Sequence, residues 1–185
     1  MILILLPVVV SCSQISNIEN ADDVTSTEDF GMRMSDKIRD VQFNSEEINI
    51  WQTTTASNSA EYYYDMNGSM DEGSLIDSKL WERNALVEEY LNLQINFVDT
   101  GTLSKDAAEY IRPFLLSDTS NYDAYQLVQH NGIQLVIEGN FRNLDDATYL
   151  DFDGEWWAHD FMDNAKINGH NYVMAGDVGV DMVNK

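Results

Sequence analysis

The chain is short of the residues that build most recognisable sites. It has one cysteine, Cys12, which excludes an internal disulfide and any zinc site built from several cysteines. Only three histidines occur, His130, His159 and His170, and none is spaced as part of a zinc ligand set. Two prolines among 185 residues are too few for a linker protein. Lysine and arginine number 10 against 32 aspartates and glutamates, a formal net charge of -22. Nucleic acid and anionic lipid headgroups are bound through Lys and Arg, so neither is expected as a partner. The longest apolar run, MILILLPVVV, is half of the roughly 20 residues that a membrane-spanning helix needs. No Gly-rich phosphate loop, G-x-S-x-G turn, C-x-x-C or H-E-x-x-H is present, so no cofactor is expected. Carboxylates are so many that no catalytic pair stands out.

What is there points to a folded, exported chain. Apolar residues make up 44% of it, with 4 Trp, 9 Tyr and 7 Phe, a composition that supports a packed core. Residues 1–12 read as the apolar part of a secretory signal ending in Val9-Val10-Ser11-Cys12, which is similar to a bacterial lipobox. There a small residue precedes a cysteine that is lipidated and becomes the new N-terminus. The competing reading is a buried apolar strand ending in an inert thiol. Residues 13–47 carry 9 acidic and 3 basic residues without a sustained period and read as an acidic, flexible tether. The globular part is expected over 48–185.

Within that part, Ile48, Ile50 and Trp51 begin a strand that Thr53-Thr54-Thr55 ends. Ile76, Leu80, Val87 and Leu91 recur at helical spacing over 74–90, with Glu82, Arg83, Glu88 and Glu89 toward solvent. Leu93, Ile95 and Phe97 alternate with Gln94 and Asn96 as a strand does. Thr100-Gly101 reads as a turn. Ser104 is placed to cap a helix bearing Ala107, Ala108 and Ile111, which Pro113 ends or kinks. Tyr122 to Val128 reads as a third, buried strand broken by Asn131-Gly132. A short helix over 133–137 ends at Gly139, and a helical turn is expected over 161–165. Asn168-Gly169 signals a hairpin. Strands alternating with helices predict an α/β domain with a mostly parallel sheet. The Asp- and Gly-containing stretches Tyr63–Ser74 and Tyr149–Asp160 lack calcium-anchoring residues at both ends and read as acidic turns, so no metal is expected.

Four passages together resemble a family. Leu80-Trp81-Glu82-Arg83-Asn84 with Val87-Glu88-Glu89-Tyr90-Leu91-Asn92-Leu93, then Tyr122-Asp123-Ala124-Tyr125, then Trp156-Trp157, then Ile167-Asn168-Gly169-His170-Asn171-Tyr172 with Gly176-Asp177 are similar, in order and spacing, to extracellular solute-binding proteins of ABC importers, the group called family 1. The resemblance covers residues 48–182. It implies a periplasmic-binding-protein-like lobe, with no catalytic activity. It also implies a monomer, lipid-anchored on the outer face of the cytoplasmic membrane, that delivers a sugar, or alternatively a peptide, to an ABC permease. Family members have two lobes, and the chain given ends at Lys185, just after the Gly-Asp pair. The resemblance therefore implies an incomplete N-terminal lobe with the second lobe absent.

In open α/β sheets ligands sit beyond the carboxyl ends of the strands. That rule selects Thr53 and Thr54 after the first strand, Gln129, His130 and Asn131 after the third, and Asp177 after the hairpin. Their hydroxyl, amide and carboxylate groups suit sugar hydroxyls or a peptide backbone, and equally suit ordinary loop hydrogen bonds. Trp156 or Trp157 could stack on a sugar ring, and packing is the competing role for both. A reading of a different class is a secreted glycan-processing enzyme or accessory module, which requires two carboxylates flanking a cleft. A third is a surface lipoprotein without a small ligand.

Overall fold

The computed structural model describes residues 37–54, 66–70 and 75–176, with the backbone alone for Thr54 and Ile76. The fold is α/β, built on a small open sheet of three parallel strands in the order β2-β1-β3. The central strand β1 is Glu46–Thr54, helix α1 is Leu75–Leu91 and strand β2 is Leu93–Leu103. Helix α2, Ala107–Leu116, follows a 3-10 turn at Ser104–Asp106. Strand β3 is only Ala124–Tyr125, and helices α3, Gln129–Ile137, and α4, His159–Asn164, are the remaining elements among the described residues.

Alternation along β1 sets the two faces of the sheet. Ile48 and Ile50 point to one side, opposite Ile95 and Phe97 of β2 in register. Helix α1 covers that side with Val87 and Leu91, and Met66 and Ala124 join the cluster. The helix stops because Asn92 takes a left-handed backbone (φ 51°), the turn that launches β2. Trp51 points to the other side, where it is fully buried against Ala107, Ala108 and Ile111 of α2 and Leu135 of α3. Arg112 of α2 donates two hydrogen bonds to Glu138, just past α3, at 2.8 and 2.9 Å, which ties the two helices together at the surface.

A second packing centre lies C-terminal to the sheet. Leu144, Leu150, Trp156, Trp157 and Met162 are buried together, with Phe152, Phe161 and Met174 around them. Backbone glycines make this possible: a Cβ on Gly154 would sit 2.2 Å from the Trp156 ring, and one on Gly176 would sit 2.2 Å from the Trp156 carbonyl oxygen. The N-terminal turn reaches this centre through Lys37, whose Nζ donates to the Leu150 carbonyl at 2.6 Å, and through Phe43, edge-on to Tyr149.

Several expectations change. The start of regular structure moves toward the N-terminus from 48: Glu46 and Glu47 belong to β1, and Ile38, assigned to the tether, is buried. Thr53 and Thr54 are the end of β1, not a turn beyond it. The Thr100-Gly101 turn is a bulge inside β2: Gln52 pairs with Asp99 but Thr54 pairs with Leu103. Ser104 opens the 3-10 turn, and the residue at the cap position of α2 is Asp106. Pro113 lies within α2, which continues to Leu116 because Ile111 and Leu115 on either side pack into the Trp51 cluster. The expected Tyr122–Val128 strand shrinks to two residues, and Asn131-Gly132, expected to break structure, lies in the first half of α3. The hairpin forms a tight turn, with mutual backbone bonds between Ile167 and His170 and Asn168-Gly169 both left-handed, yet no longer ladder follows it.

Candidate functional site

All three strands run the same way, so their carboxyl ends meet on one edge of the sheet. The chain leaves β1 for β2 on one side and returns to β3 on the other. The strand order therefore reverses at β1, the switch point beside which open α/β sheets leave a crevice.

Three polar segments border that point. The first is Gln52 and Thr53 at the end of β1. Gln52 Oε1 is buried and accepts no hydrogen bond, which leaves it an acceptor in need of a donor. The second is the β2 bulge. There the indole N–H of buried Trp51 donates to Thr100 Oγ1 at 3.1 Å, Thr100 and Thr102 share a hydroxyl hydrogen bond at 3.0 Å, and Asp99 accepts from the Gly101 N–H at 2.7 Å. Gly101 is left-handed (φ 75°) with open space where a Cβ would be. The third segment follows β3. The Gln126 N–H donates to the Trp51 carbonyl at 2.8 Å, extending the pairing by one step, and α3 begins three residues later with Gln129 and His130, both exposed. From these two residues an open groove of about 620 Å³ runs along α3 past Ile133, Gln134 and Ile137 to Glu138.

The site residues expected from the sequence therefore divide. Thr53, the backbone of Thr54, Gln129 and His130 share the carboxyl edge. Asn131 does not: it is buried, and its Nδ2 donates to the Ser104 carbonyl, where it joins α3 to the 3-10 turn. Trp156 and Trp157 do not reach the edge as stacking platforms. Both are buried in the second packing centre, with Trp157 Nε1 donating to the Asp151 carbonyl at 2.6 Å and Trp156 Nε1 left without a partner. Both enter the same cluster because the backbone turns at Trp157, whose N–H bonds to the Gly154 carbonyl at 3.2 Å. Cys12 and Asp177 lie outside the described residues.

Sequence reasoning passed over Gln52, Asp99, Thr100 and Thr102. Reading Thr100-Gly101 as a turn ended β2 early and hid the hydroxyl pair that the bulge presents. It also sent Arg83 to solvent. Instead Arg83 and Asn84 turn to the loop before α1, with Arg83 Nη2 and Asn84 Nδ2 both donating to the Met66 carbonyl, at 3.1 and 2.8 Å. Burial lowers the Arg83 pKa to about 10. Gly68 (φ 67°) lets this loop lie directly on α1, because a Cβ there would come within 2.4 Å of the Asp77 carbonyl oxygen.

Among the described residues no group of three or more His, Cys, Asp or Glu side chains is placed to hold a metal ion. What the edge offers is mainly hydroxyl and amide chemistry at a helix start, with the Asp99 carboxylate and the His130 ring beside it, suited to hydrogen-bonding a polar solute. No protein-family model, curated protein or solved structure matches the chain.

Proposed function

We propose that the chain is a partial, periplasmic-binding-protein-like lobe of a lipid-anchored extracellular solute-binding protein. It would capture a small neutral solute, a sugar or alternatively a peptide, and pass it to an ABC permease, without catalysing a reaction. The observation that carries this reading is the switch point at β1, bordered mainly by hydroxyl and amide groups. In the proposed role Thr53 and the amide of Gln52 meet ligand hydroxyls from the β1 side. Gln129, His130 and the first N–H groups of α3 meet them from the β3 side. Capture in such proteins is a population shift between open and closed arrangements of two lobes, driven by tighter binding to the closed one. Cys12 supplies the anchor and the acidic segment after it supplies reach.

A thermal-shift titration with maltotriose and with triglycine tests the reading. A ligand present at about 100 times its Kd adds about 2.7 kcal/mol of stability. One of the two probes is expected to raise the melting temperature of the chain, and Gln129→Ala and Thr53→Ala are expected to abolish the rise. No rise with either probe, or a rise untouched by both substitutions, sinks the proposal. For the anchor, intact mass of protein taken from native membranes should show a lipid adduct at Cys12.

A further inference from the structure

The outer edge of β2 is unpaired among the described residues, because β2 flanks the sheet and its only neighbour is β1. In a parallel edge strand every second residue directs its N–H and C=O away from the neighbour, and such a row is a template for another strand. Here one of those outward groups is already taken. The Ile95 N–H donates to Glu88 Oε1 of α1 at 2.7 Å. By alternation Leu93 and Phe97 face outward like Ile95 and lie on either side of it.

The run Leu93–Val98, LQINFV, contains no charged residue and no proline or glycine, in a chain that is otherwise dense in carboxylates. Apolar, β-branched and amide side chains without charge are what edge-to-edge pairing favours. The run is also self-complementary. In an antiparallel pair of two copies centred on Ile95, Leu93 stands opposite Phe97 of the second copy and Gln94 stands opposite Asn96. Apolar meets apolar on one face and amide meets amide on the other, with no like charges opposed. The net charge of -22 acts against association at long range, but it is screened beyond about 8 Å at physiological ionic strength. Local pairing therefore decides.

We propose that the outer edge of β2 is a strand-docking surface for β2 of a second copy of this chain, held shut by Glu88. The carboxylate does two things at once: it occupies the Ile95 donor, and it places a negative charge on the edge, where an approaching second copy brings its own Glu88.

Sedimentation velocity across a wide range of protein concentration, with far-UV circular dichroism to confirm folding, tests this. The wild type is expected to hold the mass of one chain. Glu88→Ala is expected to approach twice that mass as concentration rises. Adding Gln94→Lys to Glu88→Ala returns a charge to the edge without restoring the Ile95 hydrogen bond, and it is expected to bring the mass back to one chain. The proposal is overturned if folded Glu88→Ala remains a single chain. It is equally overturned if Gln94→Lys fails to suppress its association, or if the wild type already pairs. Should Glu88→Ala lose its helical signal, Glu88→Met takes its place in the same comparison. That variant keeps the length and helix propensity of the side chain and removes both the charge and the acceptor. A folded Glu88→Met chain that stays single overturns the proposal too.

Discussion

Gly154 and Gly101 are both irreplaceable in part, for opposite reasons. A methyl group on Gly154 has nowhere to go, since it would stand 2.2 Å from the ring of buried Trp156. Gly154→Ala is expected to cost about 2–3 kcal/mol, the range of overpacking in a close-packed centre. Gly101 has free space around it and a left-handed backbone, so Gly101→Ala should cost only about 1 kcal/mol, the left-handed penalty of a Cβ. Urea unfolding of the two variants checks the order. Asp145 gives a pH prediction. Burial would raise its pKa, but hydrogen bonds from the His170 ring and from the Asn171 side chain and N–H outweigh that and leave it lowered. A carboxyl with a lowered folded pKa adds stability that is complete above the unfolded value, about 3.9, and is lost as pH falls through the folded one. The stability difference between wild type and Asp145→Asn should therefore be flat near neutrality and shrink in the acid range. A difference that grows on acidification contradicts the assignment. Residue identity showed which side chains carry hydrogen-bonding or stacking chemistry, but not which way they turn. Asn131 and the Trp156-Trp157 pair were readable as polar and aromatic candidates. Their burial depends on Ser104 and on Gly154 and Gly176, which only the tertiary structure brings to them.

At the scale of elements, periodicity was a good guide where a whole face is buried. Helix α1 emerged from Leu80, Val87 and Leu91, and β2 from Leu93, Ile95 and Phe97, because each set packs on one side. It failed where tertiary contacts override a local signal. Pro113 marks a helix end on propensity alone, yet α2 passes through it. That leaves the helix carrying a removable fault. An interior proline costs about 3 kcal/mol, part of which is returned through the stiffer unfolded chain. Pro113→Ala is expected to stabilise the protein by about 1–2 kcal/mol, measured as a higher urea midpoint at unchanged slope. The bulge in β2 was the other miss. Gly101 and two threonines imitate a turn, while the pairing of Thr54 with Leu103 carries the strand onward. The hydroxyls at the candidate site were hidden by the same imitation.

At the scale of the whole molecule, the alternation of strands and helices was enough to anticipate a parallel α/β sheet. The strand order was not legible, because it is set by which edge each crossover returns to. The charge makes a prediction of its own. With 32 acidic side chains against 10 basic ones, self-repulsion weakens the compact state. Raising salt from about 0.01 to about 0.1 M shortens the screening length from about 30 to about 10 Å. The melting temperature should rise over that interval, and a flat response would mean that the charges are already compensated. The order β2-β1-β3 also has a consequence for synthesis. The central strand is made first and completed last, since Asn49 waits for Asp123, 74 residues later. At about 5–20 residues per second, β1 leaves the ribosome with an edge open for about 4–15 s. In a chain expressed without residues 1–12, slowing translation between codons 54 and 124 prolongs that interval and should lower the yield of folded protein.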